Sequence, residues 1–331
     1  MSDVDQSKPI RLSDGLSSRH LVEIARLYYE RNMTQREIAQ AFGLSRVRVT
    51  RLLAEARQRG IVEIRIHGDD GPPFAELAAR LAARYGLEQV RLAPTFDDPQ
   101  RTAAEMAGTG AQTLYLALNQ ASTVAVGLSR TLGAAIRELA PFGRRHALFV
   151  PLAGGWSGAA EGLNPEELTA HLASVTGGHC YHLLAPLLAE TPAVARSLRE
   201  SPGVAEALRR AASADTLITG VGGLDWTESP LAHAITATER QQLERAGAVG
   251  DTSARFFDAD GHTVASTLEK RVVGLTLPQM TQIPTRLVIA HGPAKVAALH
   301  SALIGGLATH LVTDVATARC LLEDDSVAKS A

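Results

Sequence analysis

Five times between residues 123 and 314 a short apolar run breaks at a glycine or aspartate turn, and that alternation restricts the chain to few architectures. Thr123-Val-Ala-Val126 runs into Gly127-Leu-Ser-Arg-Thr131 and then a stretch carrying Leu132 and Ile136. Ala147-Leu-Phe-Val150 leads to Gly154-Gly155, and Thr216-Leu-Ile-Thr219 to Gly220-Val-Gly-Gly223. Arg286-Leu-Val-Ile-Ala290 leads to Gly292-Pro-Ala-Lys295, and His310-Leu-Val-Thr313 to Asp314, read as the N-cap of a further helix. Strand, turn and helix in that order predict parallel strands joined by right-handed crossovers. In an open parallel sheet all such turns lie at the carboxyl edge, so they converge on one crevice. Helix N-termini there present backbone amides and positive dipole ends that suit an anion.

Within this set Gly127 to Thr131 is the segment best suited to a phosphate. Leu128 follows the turn glycine, Ser129 and Thr131 add hydroxyls, and Arg130 adds charge beside the amides. The same glycines would serve equally as simple tight turns between strand and helix. Gly222 falls in Gly220-Val-Gly-Gly223, which lacks the full G-x-G-x-x-G spacing and a placed ribose acid, so no nicotinamide cofactor is expected. Asp251 follows Gly250, and Lys295 sits where a helix begins. A cation there opposes the helix dipole, so Lys295 fits better as a ligand contact or a partner for an aspartate.

At 331 residues the chain exceeds one small domain. Its apolar fraction of 45% and charged fraction of 21% are those of a globular protein rather than a disordered one. Cys180 and Cys320 are its only cysteines, with no disulfide or metal-ligand spacing, so neither a metal nor a cofactor is expected and a reducing cytoplasm fits. No apolar run is long enough to cross a bilayer, and the first residues lack a signal-peptide pattern; a cytoplasmic location away from membranes is the expectation.

Charge is distributed unevenly. Between Arg19 and Gly68 ten Arg and no Lys stand against five Glu, a local balance of +5 in a chain whose net charge is -2. A basic module on an acidic body follows. Inside that module Thr34 and Glu37 form a capping box, which starts a helix with Ile38, Ala39 and Phe42 on one face before Gly43 turns the chain. Ser45 is an N-cap for the next helix, where Val49, Leu52, Leu53 and Ala56 recur at the spacing of a buried stripe. Val47, Arg51 and Gln58 occupy the opposite face, flanked by Arg46, Arg48 and Thr50. Leu21, Ile24, Ala25 and Tyr28 mark a supporting helix upstream. Downstream, Gly60 ends the second helix of the pair, and Val62, Ile64 and Ile66 alternate with Glu63, Arg65 and His67 as a strand.

Three helices and a strand make a winged helix-turn-helix, whose last helix, the one capped by Ser45, fits the major groove of double-stranded DNA. Ser45, Val47, Arg48 and Arg51 are assigned to base edges, and Arg46, Thr50 and Arg57 to phosphates, with Thr34 and Gln35 at the start of the preceding helix. A protein-interaction module with a solvated arginine face is the competing reading. Three segments result: a tail over 1–17, a DNA-binding domain over 18–68 and an α/β domain over 69–331, with 69–73 as linker and 74–85 as its first amphipathic helix.

The chain resembles the SorC/DeoR-type family of sugar-responsive bacterial transcriptional regulators. The resemblance rests on Tyr28 to Ile66 with Leu44-Ser-Arg46 and Gly60-Ile-Val-Glu-Ile-Arg65, then Gly250-Asp251, Phe256-Phe-Asp258, Asp260-Gly261, Val273-Gly-Leu275, Lys295 and Leu311-Val-Thr-Asp314. It implies an all-α N-terminal reader joined to a Rossmann-like α/β effector domain, similar to sugar-phosphate isomerases and deaminases. It also implies a homo-oligomer, a tetramer, that binds operator DNA and a sugar, polyol or sugar-phosphate effector. By that similarity Gly127 to Thr131 would hold a phosphate, Gly154 and Gly155 would line the crevice, and Asp251 and Lys295 would contact the sugar. Leu128-Ser-Arg130 and His291-Gly292 depart from the family pattern. The alternative function, from another class, is a sugar-phosphate isomerase or deaminase-like enzyme.

Overall fold

A computed structural model describes residues 18–31, 33–59, 61–62, 74–142, 147–156, 164–227 and 229–323. The tail expected over 1–17, Gly60, the wing strand beyond Val62 and the linker 69–73 lie outside the described residues. The chain divides into two compact units, Met1–Asp70 and Gly71–Ala331.

The described residues of the first unit form three helices, α1 (Ser18–Tyr29), α2 (Gln35–Phe42) and α3 (Arg46–Gln58). Leu21 and Ile24 of α1, Ile38 of α2, and Val49, Leu52 and Leu53 of α3 close a buried core. The local chemistry is as the sequence reads. The Thr34 hydroxyl accepts from the Glu37 amide while the Glu37 carboxylate accepts from the Thr34 amide. Gly43, with φ 64°, turns the chain in the left-handed region that a side chain would strain. Ser45 then caps α3 by accepting from Arg48 N at 3.2 Å.

Among the described residues of the second unit the strands are β1 (Gln89–Ala93), β2 (Thr123–Val126), β3 (Leu148–Pro151), β4 (His179–Cys180), β5 (Thr216–Thr219), β6 (Gly222–Gly223), β7 (Gly250–Thr252), β8 (Arg255–Phe257), β9 (Thr285–Ile289) and β10 (His310–Asp314). Seven of them form one sheet in the order β1-β10-β9-β5-β2-β3-β4, every neighbouring pair parallel. Alternate side chains sort onto its two faces. Val124, Ile218, Leu287 and Val312 pack with α5 (Pro99–Leu118), α6 (Arg130–Arg137) and α7 (Pro165–Thr176). Their neighbours Ala125, Leu217, Val288 and Leu311 pack with α4 (Ala75–Tyr85) and with the helices Pro202–Ala212, Val296–Ile304 and Val315–Glu323. Both faces are covered, which is why the strands read as near-continuous apolar runs.

From β2 the chain proceeds outward to β3 and β4. It then returns to lay β5 on the other side of β2, and continues to β9 and β10. The reversal between β2 and β5 is the topological switch point, where open α/β sheets leave a crevice. Strands β6, β7 and β8 form a separate antiparallel sheet just past the end of β5. Asp314, expected as a helix N-cap, is the last residue of β10. Its carboxylate accepts from the hydroxyls of Thr95 at 2.6 Å and of Thr317.

Candidate DNA-reading helix and effector crevice

On α3 the side chains of Val49, Leu52, Leu53 and Ala56 are buried, while Ser45, Arg46, Val47, Arg48, Thr50, Arg51 and Arg57 are exposed. Val47 is 63% exposed, a bare apolar side chain among guanidinium groups. Such a face can offer hydrogen-bond forks to guanine and a methyl contact to thymine. Thr34, Gln35 and Thr50 have a different position. Thr34 is tied into the capping box, and the Thr50 hydroxyl donates to Gln35 Oε1 at 2.9 Å, which binds the start of α2 to the first turns of α3. Those bonds from Thr34 hold the Glu37 carboxyl below its ordinary pKa.

The crevice at the switch point is walled by Leu128 to Arg130, Gly220 to Gly223, Asp251, Ser253, Ala294 and Lys295, with Asp225, Ser229 and Leu231 closing one side. Of the residues picked out by sequence, the fold brings together Leu128, Ser129, Arg130, Gly222, Asp251 and Lys295. Gly127, Thr131, Gly154 and Gly155 are not in its lining. The Gly127 amide donates to Ile218 O at 2.8 Å within the sheet. Gly154 N donates to Val273 O and Gly155 N to Ala185 O, so these two glycines tie the segment after β3 to those around Ala185 and Val273. A Cβ on Gly154 would lie 2.5 Å from two backbone oxygens.

The loop after β2 is only partly available to a ligand. Leu128 N donates to Ser253 Oγ at 3.0 Å, and Ser129 Oγ caps α6 by accepting from Leu132 N at 3.3 Å. Arg130 and the start of α6 contribute positive charge and a helix N-terminus to the wall. Ser129 packs so closely on the next loop that a Cβ on Gly220 would meet its Oγ at 2.1 Å and its Cβ at 2.4 Å. Replacing Gly220 by alanine is expected to displace the cap and cost about 1–3 kcal/mol of stability, read as a lowered midpoint in urea unfolding.

Ser253 went unnoticed in the sequence for a physical reason. It and Ala254 form the two-residue turn between β7 and β8 with φ of 49° and 64°, a conformation that sequences usually signal with Asn-Gly. Both are buried, and holding two such residues there costs about 1–3 kcal/mol each. Asp251 helps to hold the turn, its Oδ2 accepting from Ala254 N at 3.0 Å. Thr252 anchors the hairpin by donating to Gly220 O at 2.9 Å.

Asp251 is the electrostatic centre of the crevice. Burial pushes its carboxyl up to about 6, against the opposing pull of the Ala254 amide and the Lys295 charge. Lys295 ends a single 3₁₀ turn, Pro293–Lys295, at the start of the helix Val296–Ile304. His291, half-buried at the end of β9, is held below its ordinary pKa by burial and then by Lys295. One buried acid, two cations and a glycine-rich floor therefore meet at the switch point.

The family model "Putative sugar-binding domain" matches residues 73–323, and a Crp-like helix-turn-helix domain matches 17–69. The chain belongs to the SorC/DeoR-type family of sugar-binding transcriptional regulators. It is 30% identical over 313 residues to the transcriptional regulator LsrR of Klebsiella pneumoniae, covering 93% of this chain and 94% of that one. Among solved structures, the full-length sorbitol operon regulator SorC from Klebsiella pneumoniae superposes with a TM-score of 0.78 at 25% identity, over 93% of this chain and 100% of that one. A DeoR family transcriptional regulator from Listeria monocytogenes matches with a TM-score of 0.69 at 25% identity, over 74% and 98% respectively. Like other SorC/DeoR-type regulators, the protein joins a helix-turn-helix to a sugar-binding domain built on a mostly parallel sheet. Its relatives are named as regulators, not enzymes. Among the described residues no helix is long and apolar enough to cross a membrane.

Proposed function

We propose that this regulator controls a carbohydrate- or polyol-catabolic operon as a cytoplasmic homo-oligomeric repressor, a tetramer that releases its operator when a sugar, polyol or sugar phosphate fills the crevice. The observation that carries the reading is the meeting of Arg130, Asp251 and Lys295 at the β2–β5 switch point. Cations suit a phosphate or a dense set of hydroxyls, and a buried carboxylate suits hydroxyl donors. Arg48, Arg51, Val47 and Ser45 read bases, while Arg46, Thr50 and Arg57 bind phosphates and Thr34 and Gln35 set the start of α2. In the crevice Leu128, Ser129, Arg130, Gly222, Asp251 and Lys295 meet the ligand; Gly127, Thr131, Gly154 and Gly155 shape the loops around it. The sorbitol operon named for the similar SorC structure favours polyols within the effector class.

A thermal-shift screen of free and phosphorylated sugars and polyols tests this directly. A ligand at a hundredfold excess over its Kd stabilises the folded state by about 2.7 kcal/mol, so a true effector raises the melting temperature and also releases operator DNA. The protein is proposed to act by binding alone. Ligand-induced stabilisation without operator release, or turnover of any sugar phosphate in the same panel, would favour the isomerase or deaminase reading instead.

A further inference from the structure

Glu166, Cys180 and His182 form a second cluster, and none of them lines the effector crevice. Cys180 ends the edge strand β4, paired with Phe149 of β3, and His182 follows two residues later. The thiol Sγ lies 3.9 Å from His182 Nε2, and His182 Nδ1 lies 2.9 Å from Glu166 Oε2. The carboxylate is fixed from its other side as well, because Leu183 N donates to Glu166 Oε1 at 2.7 Å. Glu166 stands in the first turn of α7, where Asn164 caps the helix by accepting from Glu166 N. With Nδ1–H donated to the carboxylate, Nε2 is left as the acceptor that faces the thiol. Nucleophile, base and orienting acid are thus in series, the arrangement that activates a cysteine.

We propose that Cys180 is a reactive thiol, a modification site for small hydroperoxides, with His182 as its base and Glu166 as a positioning residue. The thiol proton passes to Nε2, and the sulfur electron pair attacks the terminal peroxide oxygen. The O–O bond breaks, and the departing hydroxide or alkoxide takes the proton back from the imidazolium. Sulfur is oxidised to sulfenic acid while the hydroperoxide is reduced to water or an alcohol. A hydroperoxide is favoured among electrophiles because its oxygen leaving group needs a proton, and His182 carries the one it has just accepted. The Glu166 carboxylate stabilises the imidazolium between those two transfers.

Cys320, exposed on the helix Val315–Glu323, is the only other cysteine and provides an internal reference in the full-length protein. Brief exposure to hydrogen peroxide with a sulfenic-acid trap, followed by mass spectrometry of the two cysteine peptides, is expected to label Cys180 about tenfold faster than Cys320 at neutral pH. His182→Gln, at a largely exposed position, should slow Cys180 about tenfold and leave Cys320 unchanged. Glu166→Gln should give a smaller loss and shift the pH profile of the Cys180 rate, which a purely structural role would not do. Should Glu166→Gln fail to fold, His182→Gln decides alone. Equal or slower labelling of Cys180 in the unmodified protein, or an unchanged ratio in His182→Gln, overturns the proposal.

Discussion

Replacing Arg48 and Arg51 together by alanine is expected to weaken operator binding by about two to four orders of magnitude, with the fold intact. Each bidentate arginine–guanine pair contributes ~1–3 kcal/mol of discrimination, and the two side chains stand three residues apart, one turn of the same helix. Both side chains are exposed, and the buried stripe of Val49, Leu52, Leu53 and Ala56 beneath them is untouched. The urea midpoint should therefore stay where it is. Base contacts and phosphate contacts leave different signatures in salt. Loss of Arg48 and Arg51 should relax specificity between operator and competitor duplexes, whereas Arg46→Ala or Arg57→Ala should weaken both alike and lower the salt slope by about 1 each. Affinity for operator and competitor that is unaltered in the double variant, measured by anisotropy titration at several salt concentrations, would remove α3 from the groove.

How far the sequence anticipated this architecture depends on the range of the forces involved. The capping box of Thr34 and Glu37, the turn at Gly43 and the cap at Ser45 depend on residues at most four apart, and each was legible in the chain. Five of the seven parallel strands, β2, β3, β5, β9 and β10, were legible too, because burial on both faces writes itself as an apolar run, whereas Gln89 and Arg91 interrupt the apolar run of β1. Strand β4 has two residues and β6 is a pair of glycines, too short to carry any periodicity. The antiparallel sheet of β6, β7 and β8, none of them longer than three residues, is equally unannounced, and it is what brings Asp251 and Ser253 into the crevice.

The candidate site divides along the same line. Arg130, Asp251 and Lys295 could be picked out as charges beside turns, but their convergence depends on strand order, and strand order is a long-range property. Gly154 and Gly155 look like Gly220 and Gly222 in one dimension. They differ because their amides go to Ala185 and Val273, residues some thirty to one hundred and twenty positions away. The Ser253–Ala254 turn was silent for another reason: its left-handed backbone is imposed by the Asp251 carboxylate and the Leu128 amide, neither of which a residue type reveals.

Asp251 yields the second large effect, a stability difference that depends on pH. In the folded chain its carboxyl titrates at about 6, because burial outweighs the Ala254 amide and Lys295; the ordinary value is 3.8. The native state therefore binds this proton more tightly than the unfolded chain does. The stability carried by the protonated acid is complete below the unfolded value and is lost as pH rises through 6, a cost on the order of 3 kcal/mol at neutral pH. Asp251→Asn removes the charge and keeps a carbonyl oxygen that can accept from Ala254 N. At pH 7.5 the variant is expected to unfold later in urea than the unmodified protein by about 1–3 kcal/mol, and the two should converge as pH falls toward 4. Lys295 would then face the crevice without its acidic neighbour, so the effector-induced thermal shift should shrink or vanish. A variant that gains stability and loses its response marks a carboxylate kept ionised for the ligand at the expense of the fold. Equal stability of the two proteins at pH 7.5 would overturn the raised carboxyl pKa, and an undiminished effector shift in the variant would take Asp251 out of the binding site.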